Sequence, residues 1–427
     1  MSDLLVHGGR VLDPASAHDA VTTVSIRGRR IEALGGAADP DLPQLDATGL
    51  LVIPGLIDLA THLREPGEEE KASIASETRA AAAGGITCLC ASPDTDPVTD
   101  STAVVELITR RARQAHLSRV MPVGALTCGL QGGRLTEMAA LKAAGCIALS
   151  DGGRPVRDGL VLLRALEYAA TVDLTVFLTP QDPDLSAAGR VHDGWVATRM
   201  GLRGIPVAAE TAAIGRILAL VEHTGARVHL GRLSSGRGAA MVAEAKDRGL
   251  PVTADVAIHQ LFLSEMDLSG YDTRCLVTPP LRSDEDRRAL REAVRSGVID
   301  AICSDHQPQD ADAKAATLDA SLPGISGLDT LLPLLLRLVD DGVLDLPTAL
   351  ARVTAGPARV LGIDRGSLQP GHWGDLCLLD PEQPRWVDPE QLLSRGRNTP
   401  FTGWDLAGQV RCTVLEGRLI HGAEHRG

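Results

Sequence analysis

The sequence predicts an α/β fold: a (β/α)8 TIM-type barrel flanked by a small β-sandwich that both chain ends build. Three observations carry this. Both ends read as β-structure, with short apolar runs broken by glycine. The middle alternates short apolar strands with helical patterns, which argues a parallel sheet covered by helices. Roughly 310 residues of such units, residues 54–365, suit a barrel with insertions. The sandwich is assigned to residues 1–53 plus 366–427. A doubly wound sheet is the alternative, but no Gly-x-Gly-x-x-Gly follows any of the strands.

The elements follow in chain order. LLVHGGRVLD and TTVSIRGRRIEAL alternate as strands, with Gly8-Gly9 and Gly28 as hairpin turns. LLVIPGLI reads as one buried strand leading into DLATHLREPG, residues 58–67. Residues 71–83, KASIASETRAAAA, are helix formers, and Gly84-Gly85 supply the stop before the strand ITCLCAS. Ser283 with Asp286 has the spacing of a capping box and opens a helix through ALREAVRSG. VIDAIC is then a buried strand, and LDTLLPLLLRLV a core helix that carries Arg337. WGDLCLLDP and QVRCTVLEGRLIHG return to β-structure.

The bulk composition narrows the function. The 427 residues are 44% hydrophobic, with 42 basic and 55 acidic side chains and a net charge of −13. Such a chain, without a Lys/Arg run, has no electrostatic footprint for nucleic acid or for an anionic membrane. The segment MSDLLVHGGRVLDP lacks the basic and apolar regions of a signal peptide, and no apolar run approaches the ~20 residues of a membrane span. A cytoplasmic location is expected. The eight cysteines are spread out and read as reduced core residues; Cys88 and Cys90, the close pair, are not a zinc knuckle.

Chemistry in a barrel sits at the C-terminal strand ends. Those ends offer Ala60, Thr61, His62 and Arg64; Pro93, Asp94 and Thr95; Asp151; Thr179, Pro180 and Gln181; Gly231 and Arg232; His259 and Gln260; Asp305 and His306. Any one could be a polar loop residue, but together they are more than a core needs. Zinc takes three or four His, Cys or carboxylate ligands. His62, Asp151 and Asp305, with His259 and His306 as extras, are thin for one metal and too thin for two. Arg232 cannot ligate. At ~4 Å and an effective dielectric of ~20 it would oppose a dication by roughly 8 kcal/mol before screening.

The motifs PGLIDLATHLREPG, SPDTDPVTDS, ALSDGG, GLRGIPVAAE, TPPLRSDEDRRAL, IDAICSDHQP, PGISGLD and NTPFTGW with EGRLI resemble those of bacterial dihydroorotases of the amidohydrolase superfamily, over essentially the whole chain. Allantoinases and hydantoinases share the fold and parts of these motifs, but normally place a carboxylated lysine where this chain has Asp151. The resemblance implies zinc-dependent, reversible cyclisation of carbamoyl-aspartate to dihydroorotate. It also implies where that chemistry is damaged. His62, Asp151 and Asp305 are remnants of the ligand set, and Asp305 of the catalytic aspartate as well. Ala60, Thr179 and Arg232 occupy positions of lost ligand histidines. Arg64, Asp94 and His306 are remnants of substrate binding; Asp94 replaces an asparagine, where a carboxylate would repel the substrate. The segment Gln309–Ala320 matches a loop that closes on substrate and is expected to be mobile without one.

Scaffold motifs persist while chemical positions have drifted together. The pattern resembles dihydroorotase-like chains without hydrolase activity that assemble with the aspartate transcarbamoylase catalytic chain. That implies no cofactor, and a homo-oligomer within a hetero-oligomer. The alternative is a working zinc dihydroorotase with a reduced metal site of His62, Asp151, Asp305 and His259; a drifted amidohydrolase acting on another cyclic amide is a third reading. In the first case Arg232 is expected to salt-bridge Asp305 or Asp151 in the space a zinc would fill, rather than reach out to water.

Overall fold

Eight parallel strands run in chain order around a barrel. They are Leu56–Thr61, Ile86–Ala91, Arg119–Ala125, Ala148–Ser150, Thr175–Leu178, Val228–Leu230, Val252–Ala257 and Ala301–Cys303. The structure is a computed structural model that describes residues 3–36, 41–187 and 189–422. Alternate strand residues such as Ile57, Leu59, Cys88, Cys90, Val123, Phe177 and Cys303 fill the interior. Cys88 and Cys90 both point inward, as residues two apart on a strand must. All eight cysteines are free thiols. Among the described residues, no helix is long and apolar enough to cross a membrane.

The seam between the eighth strand and the first is held by polar groups. The buried Asp58 carboxylate accepts the Ser304 amide at 2.9 Å and the Ser304 hydroxyl. His306 bridges Thr61, its amide donating to the Ala60 carbonyl at 3.1 Å while its own carbonyl accepts the His62 amide at 2.8 Å.

Helices cover the outside. Ile74–Ala83 starts after Ser73, whose hydroxyl accepts the Ser76 amide, so residues 71–73 lead into the helix rather than form it. Asp284–Ser296 is capped by Ser283 as expected. The box is not reciprocal, however: Asp286 lacks the reach of Glu, and its Oδ1 accepts the Gly236 amide of the neighbouring helix at 3.0 Å. The apolar helix Leu331–Asp340 buries all its leucines, and Arg337 on its exposed side pairs with Asp341 at 2.8 Å.

Two sheets stack beside the barrel. One orders Arg30–Leu34, Val24–Arg27, Leu4–His7 and Gln44–Asp46. The other orders Arg418–His421, Asp405–Leu415, Leu376–Trp386, Leu51–Pro54, Arg10–Asp13 and His18–Val21, and so draws on both chain ends. Val6, Val11, Ile26, Ile31, Val52, Leu378 and Val414 form the core between them. Gly28 makes a hairpin turn, but Gly8-Gly9 does not: its flanking strands lie in different sheets. A Cβ on Gly9 would lie 2.8 Å from the Ala47 Cβ, so glycine lets the chain cross tightly between layers.

LLVIPGLI is likewise two strands, not one. Leu51–Pro54 joins the six-stranded sheet and Leu56–Thr61 opens the barrel, with Gly55 between them. A Cβ on Gly55 would stand 2.3 Å from Thr87 Cγ2. Gly55→Ala should therefore destabilise the fold by about 1–3 kcal/mol, through overpacking at this division. Urea unfolding of Gly55→Ala with and without Thr87→Ala checks it: the second substitution should recover most of the loss. An unchanged midpoint in Gly55→Ala alone would show that the backbone approach is not constrained.

Candidate functional site

Arg232 leaves the sixth barrel strand with φ +60, a left-handed backbone unusual for a residue with a side chain. Its amide donates to Asp255 Oδ1 at 2.6 Å, which fixes this turn. The guanidinium is thereby aimed across the mouth. Nη1 donates to Asp305 Oδ1 at 3.2 Å and Nη2 to Thr179 Oγ1. Nη2 also lies 3.3 Å from where a Cβ on Gly153 would be, so it sits beside the loop that carries Asp151. The side chain is 13% exposed, and that of Asp305 is 2% exposed. Of the two expected partners, Asp305 is the one within ion-pair distance, and the side chain does not reach out to water. Burial opposes the charge on Arg232, but Asp305, Asp151 and Asp255 outweigh it and hold its pKa above the ordinary value.

The other strand-end side chains each have their own surroundings. His62 Nδ1 lies 2.7 and 2.9 Å from the two carboxylate oxygens of Asp94. Burial alone would raise the pKa of Asp94, yet His62 and Arg64 hold it well below the usual carboxylate range. Asp94 is therefore committed to His62 and does not stand free against a ligand. Arg64, at φ +62, donates to Glu68 Oε2 at 2.9 Å and to the Pro308 carbonyl at 3.2 Å, and Glu68 also takes Lys71. Ala60 presents only a methyl group.

His306 is not part of the mouth. Residue 305 faces inward, so its neighbour points into the wall. There its Nδ1 accepts the Gly327 amide at 3.1 Å, which assigns the proton to Nε2, and Nε2 donates to the buried Glu77 at 2.8 Å. The expectation that His306 is a substrate-binding remnant is corrected accordingly. Residues 309–320 carry a short helix, Ala311–Ala315; Lys314 Nζ donates to the Thr273 carbonyl at 3.0 Å, and Thr273 donates back to the Lys314 carbonyl at 2.6 Å.

At the mouth, Asp151 and His259 are buried and have no ionic partner among the described residues. Asp151 accepts the Gly153 amide at 3.0 Å, and burial pushes its pKa up to about 6. His259 Nδ1 has no hydrogen-bond partner among the described residues, and burial pushes its pKa down to about 4, so the ring is neutral at pH 7.

Two supporting residues, Asp255 and His229, lie outside the strand-end candidates of the sequence. Asp255 holds the Arg232 amide and accepts His229 Nε2 at 2.8 Å, while His229 Nδ1 lies 2.8 Å from the Thr253 hydroxyl. A signal existed: Asp255 is an acid inside the strand Val252–Ala257 and shares a face with Thr253.

This donor set does not fit zinc. His62 and Asp305 are already engaged, by Asp94 and by Arg232 with Gln307. Among the described residues, no group of three or more His, Cys, Asp or Glu side chains is placed to hold a metal ion. The cavity at the mouth, lined by Ala60, His62, Thr179 and Arg232 among others, is about 50 Å³. That is about a third of the ~150 Å³ that admits a benzene ring.

Asp151 gives this site a pH signature. Its folded pKa, about 6, lies above the ordinary 3.8. Its contribution to stability is therefore complete below pH ~4 and is lost as pH rises through ~6, a change of up to roughly 3 kcal/mol. Asp151→Asn keeps the acceptor for Gly153 and removes the titration. In urea unfolding the variant should exceed the parent by up to roughly 3 kcal/mol at pH 7.5 and match it near pH 4. An equal difference at both pH values would contradict the burial account.

Comparison with known proteins places the chain. A dihydro-orotase-like family matches residues 49–237, and the amidohydrolase family matches residues 240–420. A "Dihydroorotase-like protein" of Pseudomonas aeruginosa is 50% identical over 418 residues, covering 97% of this chain and 99% of that protein. A "Dihydroorotase" of Syntrophotalea carbinolica is 44% identical, covering 98% of this chain and 99% of that protein. Among solved structures, the L-hydantoinase (dihydropyrimidinase) of Arthrobacter aurescens superposes with a TM-score of 0.88 at 23% identity, covering 99% of this chain and 96% of that one; it supports the fold alone. The barrel, its flanking sheets and these full-length relatives together establish that the chain belongs to the dihydroorotase-like family of amidohydrolases.

Proposed function

We propose that this chain is a non-catalytic dihydroorotase homologue of pyrimidine biosynthesis. It serves as a structural subunit in the assembly of aspartate transcarbamoylase, as a homo-oligomer within a hetero-oligomer. The observation that carries the non-catalytic reading is the Arg232–Asp305 pair. A fixed cation occupies a mouth where hydrolysis would need a dication, and it engages the aspartate that would handle the proton. Activation of water at neutral pH depends on a Lewis acid that lowers the water's pKa. The internal pairing of Asp94 and Arg64 supports the same reading, because both are spent on neighbours. The partner comes from the motif resemblance: the scaffold motifs are kept and the chemical ones are not.

The second reading, an active zinc dihydroorotase with a reduced site, is favoured by the retention of His62, Asp151 and Asp305. The name "Dihydroorotase" of the 44% identical relative points the same way.

One preparation separates the readings. The purified chain should contain no stoichiometric zinc, should leave dihydroorotate unhydrolysed, and should co-elute with the aspartate transcarbamoylase catalytic chain of the same genome. Transcarbamoylase activity should fall when this chain is omitted. Stoichiometric zinc with dihydroorotate turnover would establish the second reading. A catalytic chain that assembles and works equally well alone would refute the structural role.

A further inference from the structure

A second concave site lies at the opposite end of the barrel from the mouth. It is a cleft of about 630 Å³ between the helix Thr102–Ala115, the start of the strand Arg119–Ala125 and the turn joining Asp405–Leu415 to Arg418–His421. The strand that separates the two ends spans about 20 Å. Arg29, Arg113, His116, Arg119 and Arg418 line the cleft, and Glu416 is the one carboxylate among its lining residues.

That carboxylate is already shared three ways. Arg29 and Arg119 both contact it, and Arg365 donates to Oε1 at 2.6 Å. Arg365 also pairs with Asp375 behind it. The Trp373 ring backs the group, with the guanidinium carbons of Arg365 and Arg29 at 4.7 and 5.5 Å from its centre. Glu416 sits on left-handed backbone at φ +53, with its amide on Asp375 Oδ1 at 2.8 Å, so the turn is fixed with the carboxylate among the arginines.

The junction therefore holds more positive charge than it neutralises. Three guanidiniums converge on Glu416 and Asp375. Arg113 and Arg418, both exposed, add two more cations and make no ion pair among the described residues. In a chain of net charge −13 this is a local reversal of sign. The carbonyls at the C-terminal end of Thr102–Ala115 would disfavour an anion, but Arg113 and His116 stand at that end. Leu117, Val120 and Leu415 supply an apolar wall. Guanidiniums arranged around a concavity of this volume suit bidentate recognition of phosphate on a small molecule.

We propose that this cleft binds a phosphate-bearing small molecule, with the anionic groups held by Arg113, Arg119 and Arg418 and any apolar part resting on Leu117 and Val120. The proposal uses no residue of the barrel mouth and stands whether or not the chain is catalytic.

Isothermal titration of the full chain with sodium pyrophosphate and with ADP, at fixed ionic strength and without divalent metal, tests it. At least one probe should saturate a single site per chain. The Arg113→Ala/Arg418→Ala variant, altered at two exposed positions, should bind about tenfold or more weakly. No binding of either probe, an affinity unchanged in the variant, or equal displacement by sulfate at the same ionic strength overturns it.

Discussion

Arg232 and Asp305 meet at the end of a barrel strand with their side chains almost wholly withdrawn from water. Each charge loses several kcal/mol of hydration in such a place, and mutual attraction offsets this only when further hydrogen bonds complete the geometry. They do so here. Thr179 accepts the second guanidinium nitrogen, Gln307 donates to Asp305 at 3.0 Å, and Asp255 fixes the Arg232 backbone. Removing any one member leaves a buried group unsatisfied. The pair therefore sets which other groups the mouth can tolerate.

The same logic extends outward. A mouth that held a dication would leave His62, Asp151 and Asp305 without a counterpart once the ion was gone. In this chain each takes a different solution. Asp305 is neutralised by Arg232, His62 faces Asp94, and Asp151 relieves its burial by holding its proton up to about pH 6. Arg64 is answered by Glu68. Charges that could have met a substrate are matched inside the chain, and the space that remains is small. The barrel does not depend on the mouth. Its seam is closed by the buried Asp58 with Ser304 and by the His306 backbone with Ala60 and His62, while the His306 ring is anchored on the buried Glu77 of the covering helix.

Much of this was legible in the sequence, for reasons that differ by scale. The alternation of short apolar strands with capped helices predicted the barrel, because the periods are local. The pairing of Arg232 followed from charge alone: a cation next to two inward acids in a dry site has few places to go. What stayed hidden was direction and pairing. Gly8-Gly9 and Gly28 look alike as turns, yet only Gly28 joins strands of one sheet, a distinction set by layers far away in sequence. LLVIPGLI has no polar break, so its division at Gly55 shows only through the approach of Thr87. His306 looks like a second mouth residue beside Asp305, yet alternation continued past the strand end turns it into the wall. Asp94 reads as a repulsive group in the sequence because its partner, His62, lies on another strand.

In this structure a guanidinium, not a metal, completes the charge balance of the mouth. X-ray data collected across the zinc absorption edge, from crystals grown with excess zinc, test it most directly. Arg232 should lie on Asp305, with no anomalous peak within the mouth. An anomalous peak between Asp151 and Asp305, with the Arg232 side chain turned out to solvent, would contradict it.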